Sequence, residues 1–297
     1  MQPAIYGPYP YVPISERKGF RWPNGARLAV WVIPNLEFFH LDDPMPGTSN
    51  ERIARAHAKI PNIRNWTMRD YGNRVGFWRL LEMMQGHGIR GTAAVNSELC
   101  EHHPQMIGAA VKAGWEFMGH CQTNLVRLNE MEPGEERKAI HETLAVIGKA
   151  TGKRPAGWLG AGLAETWNTL DHLAAEGCLY VADWAADDLP FRMNVGGGTL
   201  YAIPYSIHCN DTAQFFDQKA SAAEFGDVMR RQFDALYRES AGIPRVMAVA
   251  LHPFISGVPY RIDAVDAAFD YIRAHEGVWF ATGEEIIRAY IASGAKV

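Results

Sequence analysis

Long apolar runs are missing from this chain of 297 residues. None approaches the roughly 18 residues that a membrane span requires. The N-terminus, MQPAIYGPYPYVPISERKGF, lacks a basic stretch followed by an apolar one, so no secretory signal is expected. Cysteine is scarce. Cys100, Cys121, Cys178 and Cys209 lie far apart and form no CxxC. This argues against a disulfide framework or a zinc ribbon, and for reduced thiols in a cytoplasmic protein. Excess positive charge is also missing. A formal net charge of -4 and a pI near 6.3 leave no electrostatic footprint for nucleic acid or an anionic membrane. Internal repeats, low-complexity tracts, dividing linkers and the metal motif HExxH are absent as well.

What is present is ordinary globular composition, with 47% hydrophobic and 21% charged residues, which excludes a disordered or fibrous chain. Residues 1–20 carry Pro3, Pro8, Pro10 and Pro13 among tyrosines. Proline fixes φ and removes a donor, so an extended arm is expected, packed on its own domain or on a neighbouring subunit. Strand–helix alternation follows. Strands are expected at Arg27–Ile33, Thr92–Val95, Glu116–Gly119, Ala156–Trp158, Tyr180–Ala182, Leu200–Pro204, Val246–Leu251 and Val278–Ala281. Helices are expected at Arg74–Gly86, Pro104–Ala113, Pro133–Thr151, Thr166–Glu176, Ser221–Ser240, Ile262–Ala274 and Gly283–Ser293. Residues 38–73 read as a long functional loop, and Gly196–Gly198 as a turn. Such alternation implies a parallel sheet. Seven or eight strands without a second domain predict a single-domain α/β fold: a distorted (β/α)7 TIM-like barrel over residues 21–297.

Active sites of such barrels lie where strands end. Polar side chains stand at nearly every predicted exit: Asn35, Glu37 and His40; His120 and Asn124 in GHCQTN; Asp183, Asp187 and Asp188 in ADWAADDLPF; His208, Asn210 and Asp211; and His252 in ALHPF. A histidine at a core edge is often structural, but two on one predicted face point to chemistry. Asn35 and Glu37 alternate, so both can face one way. Glu37 and an imidazole could bind a divalent metal or act as metal-free base and acid. One of the aspartates after the fifth strand could orient a histidine ring, or simply cap a helix or pair with an arginine.

The exit residues, with WPNGARLAV, YGNRVGFWRLL, DDLPF, IPY followed by ND, LHPFISGVPYR and VWFATGEEIIRAY, make the chain similar to the polysaccharide deacetylase (NodB-homology, carbohydrate esterase 4) superfamily. It resembles most the cytoplasmic branch of allantoinase-like proteins and cyclic imide hydrolases. The resemblance implies hydrolysis of a C–N amide bond. The family's first motif falls on Asn35 and Glu37, the second on His120 and Asn124, the fourth near Asp183 and the fifth on His252, the general acid. The chain departs from the pattern at Asn35, which is no carboxylate, at Asn124, which replaces a histidine, and in GWLGAGLAE, which lacks the usual arginine. The metal triad is therefore not intact. Zinc, if bound, would sit weakly on Glu37, His120 and Asn124, unless His40 or His208 completes the shell.

The resulting expectation is a cytoplasmic hydrolase opening a small cyclic amide, imide or ureide. Glu37, His120, His252 and Asp183 are the catalytic candidates. Asn35, Trp158, Trp184 and Asp187 are the substrate-binding candidates, with aromatic residues of 38–73, Trp158 and Trp184 forming a flat slot. The alternatives are an N-deacetylase of an acetylated amino sugar and a non-catalytic ligand binder. The branch resemblance also implies a homo-oligomer, with a tetramer suspected, and a small-molecule substrate as partner.

Overall fold

The computed structural model describes residues 5–45 and 60–295. Nine strands form one sheet. They are β1 (Leu28–Leu36), β2 (Thr92–Val95), β3 (Glu116–Gly119), β4 (Gly157–Trp158), β5 (Tyr180–Val181), β6 (Phe191–Met193), β7 (Leu200–Ala202), β8 (Arg245–Leu251) and β9 (Val278–Phe280). Their order is β6-β7-β5-β4-β3-β2-β1-β8, with β9 also paired to β1. The ladders are parallel except β6–β7. Between β7 and β8 the sheet is bridged, among the described residues, by Asn210 against Ala250 and by the Val246 N–H donating to the Asp188 carbonyl at 2.8 Å. The chain is thus a single α/β domain around a curled, half-closed barrel.

Period-two alternation sets what faces where. On β1, Ala29, Trp31 and Ile33 point into the barrel, and Leu28, Val30 and Val32 point out to the helices. On β8, Val246, Ala248 and Ala250 point in, and Met247, Val249 and Leu251 point out. The register pairs Ala29, Trp31 and Ile33 with Val246, Ala248 and Ala250, so the inward rows meet. Met118, Leu159, Tyr180 and Ile203 complete this packed interior. Each such fully buried aliphatic or aromatic side chain stabilises the fold by about 1.5–3 kcal/mol.

The local signals for several helices act as expected. Ser221 and Glu224 form a reciprocal capping box at the start of Ala222–Glu239. Gly152 ends Pro133–Thr151 in the left-handed conformation at φ 78°.

Three elements differ from expectation. β1 continues past Ile33 to Leu36, because β2 takes up the pairing at Asn35 and Leu36 after β9 has stopped at Val30. The first helical stretch starts at Ile63, runs to Tyr71, passes through a π turn over Gly72–Gly76 and continues over Phe77–Gly86. The π turn changes the helical phase. Phe77, Leu80, Leu81 and Met84 are therefore the buried face, and Val75 and Trp78 stay exposed. β6, a strand absent from the expected set, forms a hairpin with β7 around the Gly196–Gly198 turn. Part of the expected 38–73 loop, residues 46–59, lies outside the described residues.

The arm lies on its own barrel. Arg17 pairs with Asp187, Asn194 N–H donates to the Pro8 carbonyl, and Tyr9 packs edge-on against Phe191 at 4.8 Å. Tyr6 and Tyr11 remain exposed, whereas Tyr9 is partly covered.

Candidate active site

The inward phase of three strands runs on past their ends and selects the site. Beyond Ala29, Trp31 and Ile33 come Asn35 and Glu37. Beyond Met118 comes His120. Beyond Val246, Ala248 and Ala250 comes His252. All four are buried. The structure therefore brings Glu37, His120 and His252 to one mouth of the barrel.

Glu37 Oε1 lies 3.5 Å from His252 Nε2. On the other edge of the ring, Nδ1 is 2.6 Å from Asp211 Oδ1. The other oxygen of Asp211 accepts from the His252 backbone N–H and from the Ser256 hydroxyl, both at 2.7 Å. Asp211 is fully buried, so its charge acts with little screening. Burial acts to lower the His252 pKa, but Asp211 and Glu37 outweigh it and push it up to about 10. Burial likewise acts to raise the Glu37 carboxyl. His252, then His120 and Arg69, hold it below the usual carboxylate range. His252 and Glu37 thus form a charged pair.

His120 is different. Its Nδ1 stands 2.7 Å from the Leu159 carbonyl, which can only accept, so Nδ1 carries the hydrogen. The Nε2 lone pair is turned toward the mouth, with the Asn124 side chain beside the ring. Burial, only partly offset by Glu37 and the Leu159 carbonyl, holds this imidazole below its usual pKa and keeps it neutral near pH 7. Asn35 accepts from the Tyr205 hydroxyl at 3.4 Å, and that hydroxyl accepts from Asn210 at 3.2 Å. Asn35, whose Nδ2 donates to the Ile33 carbonyl at 3.2 Å, therefore joins a polar floor beside Glu37.

Four other expected site residues stand elsewhere. Trp158 is on the outward phase of β4, between the inward Gly157 and Leu159. It is wholly buried against Cys121, Leu144 and Leu173. The flat slot expected around it does not form. Asp183 follows the outward Val181. It accepts from Gly160 N–H at 2.8 Å, and burial raises it to about 7 beside Glu165. Burial and Asp183 together raise Glu165 well above the usual range. The main influences on Glu37, His120 and His252 come from other groups than this carboxyl pair. Trp184 donates to Glu165 at 3.0 Å and meets the ring of Tyr9 edge-on at 5.9 Å, under the arm. Asp187 is taken by Arg17 and by the Leu189 N–H, which makes it an anchor for the arm. The ring-orienting role that the sequence offered to the aspartates after the fifth strand belongs to Asp211.

For a metal, the residues present supply an ionised Glu37, the Nε2 lone pair of His120 and the Oδ1 of Asn124, which is buried without a partner. Catalytic zinc takes three firm donors. Here the third is a neutral amide, and the charged His252 has no lone pair to give. Among the described residues, the one trio of His, Cys, Asp or Glu whose ligand atoms lie within 4.8 Å of one another is His40, Asp42 and Asp43. His40 is paired with Glu98 at 2.5 Å and Asp43 at 3.3 Å. His208 lines a cavity of about 590 Å³ beside Lys219, and Glu37, His120 and His252 do not line that cavity. The donor set does not fit a tightly held zinc.

Two residues without an assigned role in the sequence reading join the site. Asp211 was visible there only as one of several polar residues after a strand. Arg69 lies in the helix Ile63–Tyr71, within the segment read as loop. Its charge acts on Glu37, and its guanidinium lies over the rings of Phe39 at 4.7 Å and Phe254 at 5.2 Å. Its placement depends on Gly72 and Gly76. A Cβ on Gly76 would stand 2.1 Å from the Pro253 carbonyl oxygen, and one on Gly72 would stand 2.6 Å from Phe254 N. Only glycine lets the helix seat directly on the turn that follows His252. The YGNRVG segment was the available signal.

Residues 66–181 match the model of the polysaccharide deacetylase family. A probable polysaccharide deacetylase from Pseudomonas aeruginosa PAO1 superposes with a TM-score of 0.82 at 26% identity, over 91% of this chain and 93% of that one. The Puue allantoinase superposes with a TM-score of 0.81 at 28% identity, over 92% and 93%. A Schizosaccharomyces pombe protein provisionally named a polysaccharide deacetylase is 26% identical, over 91% of this chain and 92% of its own. No helix among the described residues is long and apolar enough to cross a membrane.

Proposed function

We propose that the chain, whose residues 66–181 match the polysaccharide deacetylase family, hydrolyses a carbon–nitrogen bond by opening a small, neutral cyclic amide, imide or ureide. The observation that carries this reading is Glu37 set between a charged and a neutral imidazole. His252 is held protonated by Asp211, and His120 is held neutral by burial.

Amide hydrolysis needs an activated water, a stabilised oxyanion and a proton for the leaving nitrogen. His120 Nε2 takes a proton from water as the oxygen attacks the carbonyl carbon. The carbonyl π pair moves to its oxygen. When the tetrahedral adduct collapses, the C–N bond breaks and the His252 Nε2 proton goes to nitrogen. The product is a carboxylic acid still tethered to the freed nitrogen. Glu37, held below the usual carboxylate range, is a poor base. Its place suits a fixed counter-ion, which favours the imidazolium on either side. This assigns the base role to His120, one of the two groups, with Glu37, that the sequence had offered for activating water.

An N-deacetylase of an amino sugar is the second reading, favoured by the names of the Pseudomonas and Schizosaccharomyces relatives. One panel tests both: succinimide, maleimide, hydantoin, dihydrouracil, allantoin and chitooligosaccharides. Ring opening without acetate release supports the first reading. Acetate release alone replaces it with the second. Turnover of neither class leaves a ligand-binding protein.

A further inference from the structure

Arg69 is the second cation beside Glu37, and most of its donors are unused. Nη1 bonds the Asn65 side chain. Nε is buried without a partner, and Nη2 donates no hydrogen bond to a described residue. A buried donor left unpaired costs on the order of 1–3 kcal/mol, so such a group in a mouth calls for an acceptor that arrives with the ligand. The guanidinium cannot swing freely. It lies over Phe39, two residues beyond Glu37, and over Phe254, two residues beyond His252. It therefore spans the two strand exits that carry the charged pair.

The ionised groups around Glu37 also balance. Glu37 and Asp211 are negative, His252 and Arg69 are positive, and His120 is neutral. An anionic ligand would leave one negative charge without a counter-ion in a buried site, whereas a neutral one preserves the balance. Glu37 pairs with His252 from β8 at 3.5 Å, and the charge of Arg69 from the helix Ile63–Tyr71 also acts on it.

From this geometry, and resting on the reading of the site as an amide-ring hydrolase, we infer that Arg69 binds a second carbonyl oxygen of the substrate. That carbonyl is distinct from the one attacked. The substrate class is a neutral ring with two carbonyl groups, an imide or a ureide, and a ring with a single carbonyl is discriminated against. A site built to hydrogen-bond a group rejects the analogue lacking it, because its own donor is then left unpaired.

The test compares succinimide with 2-pyrrolidinone, the same ring without the second carbonyl. Binding is followed by calorimetry and by the Arg69 Nε–H resonance in wild-type protein. The ratio of the two affinities is then measured in R69M and in R69K, which keeps the charge. Succinimide is expected to move the Arg69 resonance, and 2-pyrrolidinone to leave it in place. Both variants are expected to lose about 10- to 100-fold of the preference for succinimide, the range for a lost hydrogen bond to a charged group. An unmoved resonance, or an undiminished preference in both variants, overturns the assignment. A shifted resonance without ring opening leaves the Arg69 assignment standing and removes the hydrolase reading.

Discussion

Replacing Asp211 with asparagine isolates the charge that holds His252. Three donors converge on the carboxylate: the His252 N–H, Nδ1–H and the Ser256 hydroxyl. Asparagine has the same shape but only one acceptor oxygen. If that oxygen keeps the His252 N–H and Ser256, its NH2 faces Nδ1, which must then accept. The ring becomes neutral, with its hydrogen on Nε2. Moving an imidazole from 6.5 to about 10 corresponds to about 5 kcal/mol in favour of the charged form. Asp211 contributes more of this than Glu37 does. D211N is therefore expected to lower kcat by about two to four orders of magnitude, as for loss of a positioned acid. The alkaline limb of the rate profile should fall from near pH 10 to near or below pH 6.5. The stability profile carries the same sign. A histidine raised in the folded state contributes fully below pH 6.5 and loses that contribution as pH rises through about 10. The gap in melting temperature between wild type and D211N should accordingly narrow from pH 6.5 to 10. Kinetics on the best ring substrate, with thermal melts across that range, provide the measurement. A folded D211N with near-native kcat at pH 9 would refute the assignment of His252 as the charged acid.

His252→Ala should reduce turnover by about two to four orders of magnitude while the circular dichroism spectrum stays native, and a folded variant with wild-type turnover removes His252 from the mechanism. Gly76→Ala forces a methyl to 2.1 Å from the Pro253 carbonyl oxygen and should destabilise by about 1–3 kcal/mol in denaturant melts. Gly86→Ala, with open space at the Cβ, should gain about 0.5–1 kcal/mol, and equal midpoints for the two variants would contradict the packing argument. Exhaustive dialysis against EDTA should leave ring opening within about twofold, given the weak donor set. Activity abolished by the chelator and restored by one equivalent of zinc would overturn that.

Much of this protein was legible in its residues. VMAVAL and RLAVWVI read as buried strands because apolar side chains fill both faces. Ser221, Gly152 and Pro104 marked helix ends by local backbone chemistry. Glu37, His120 and His252 stood out because each leaves an apolar strand. Trp158 was also decidable in principle: on β4 it stands one residue before the inward Leu159, so alternation alone turns it outward. Asp183, in phase with the outward Val181, fails as a mouth residue for the same reason. Local pattern thus determined the strand–helix order, the parallel sheet and the exits where chemistry could sit. Tertiary structure decided the rest, because those features depend on contacts between distant segments. Asp211 reaches His252 across 41 positions of sequence. Arg69 reaches the Glu37 and His252 exits only because Gly72 and Gly76 let a helix, displaced in phase by a π turn, seat on the Pro253–Ser256 turn. The charge states follow from the same packing. Burial and the partners that folding supplies make His252 a cation and leave His120 neutral, and nothing local to either residue distinguishes the two.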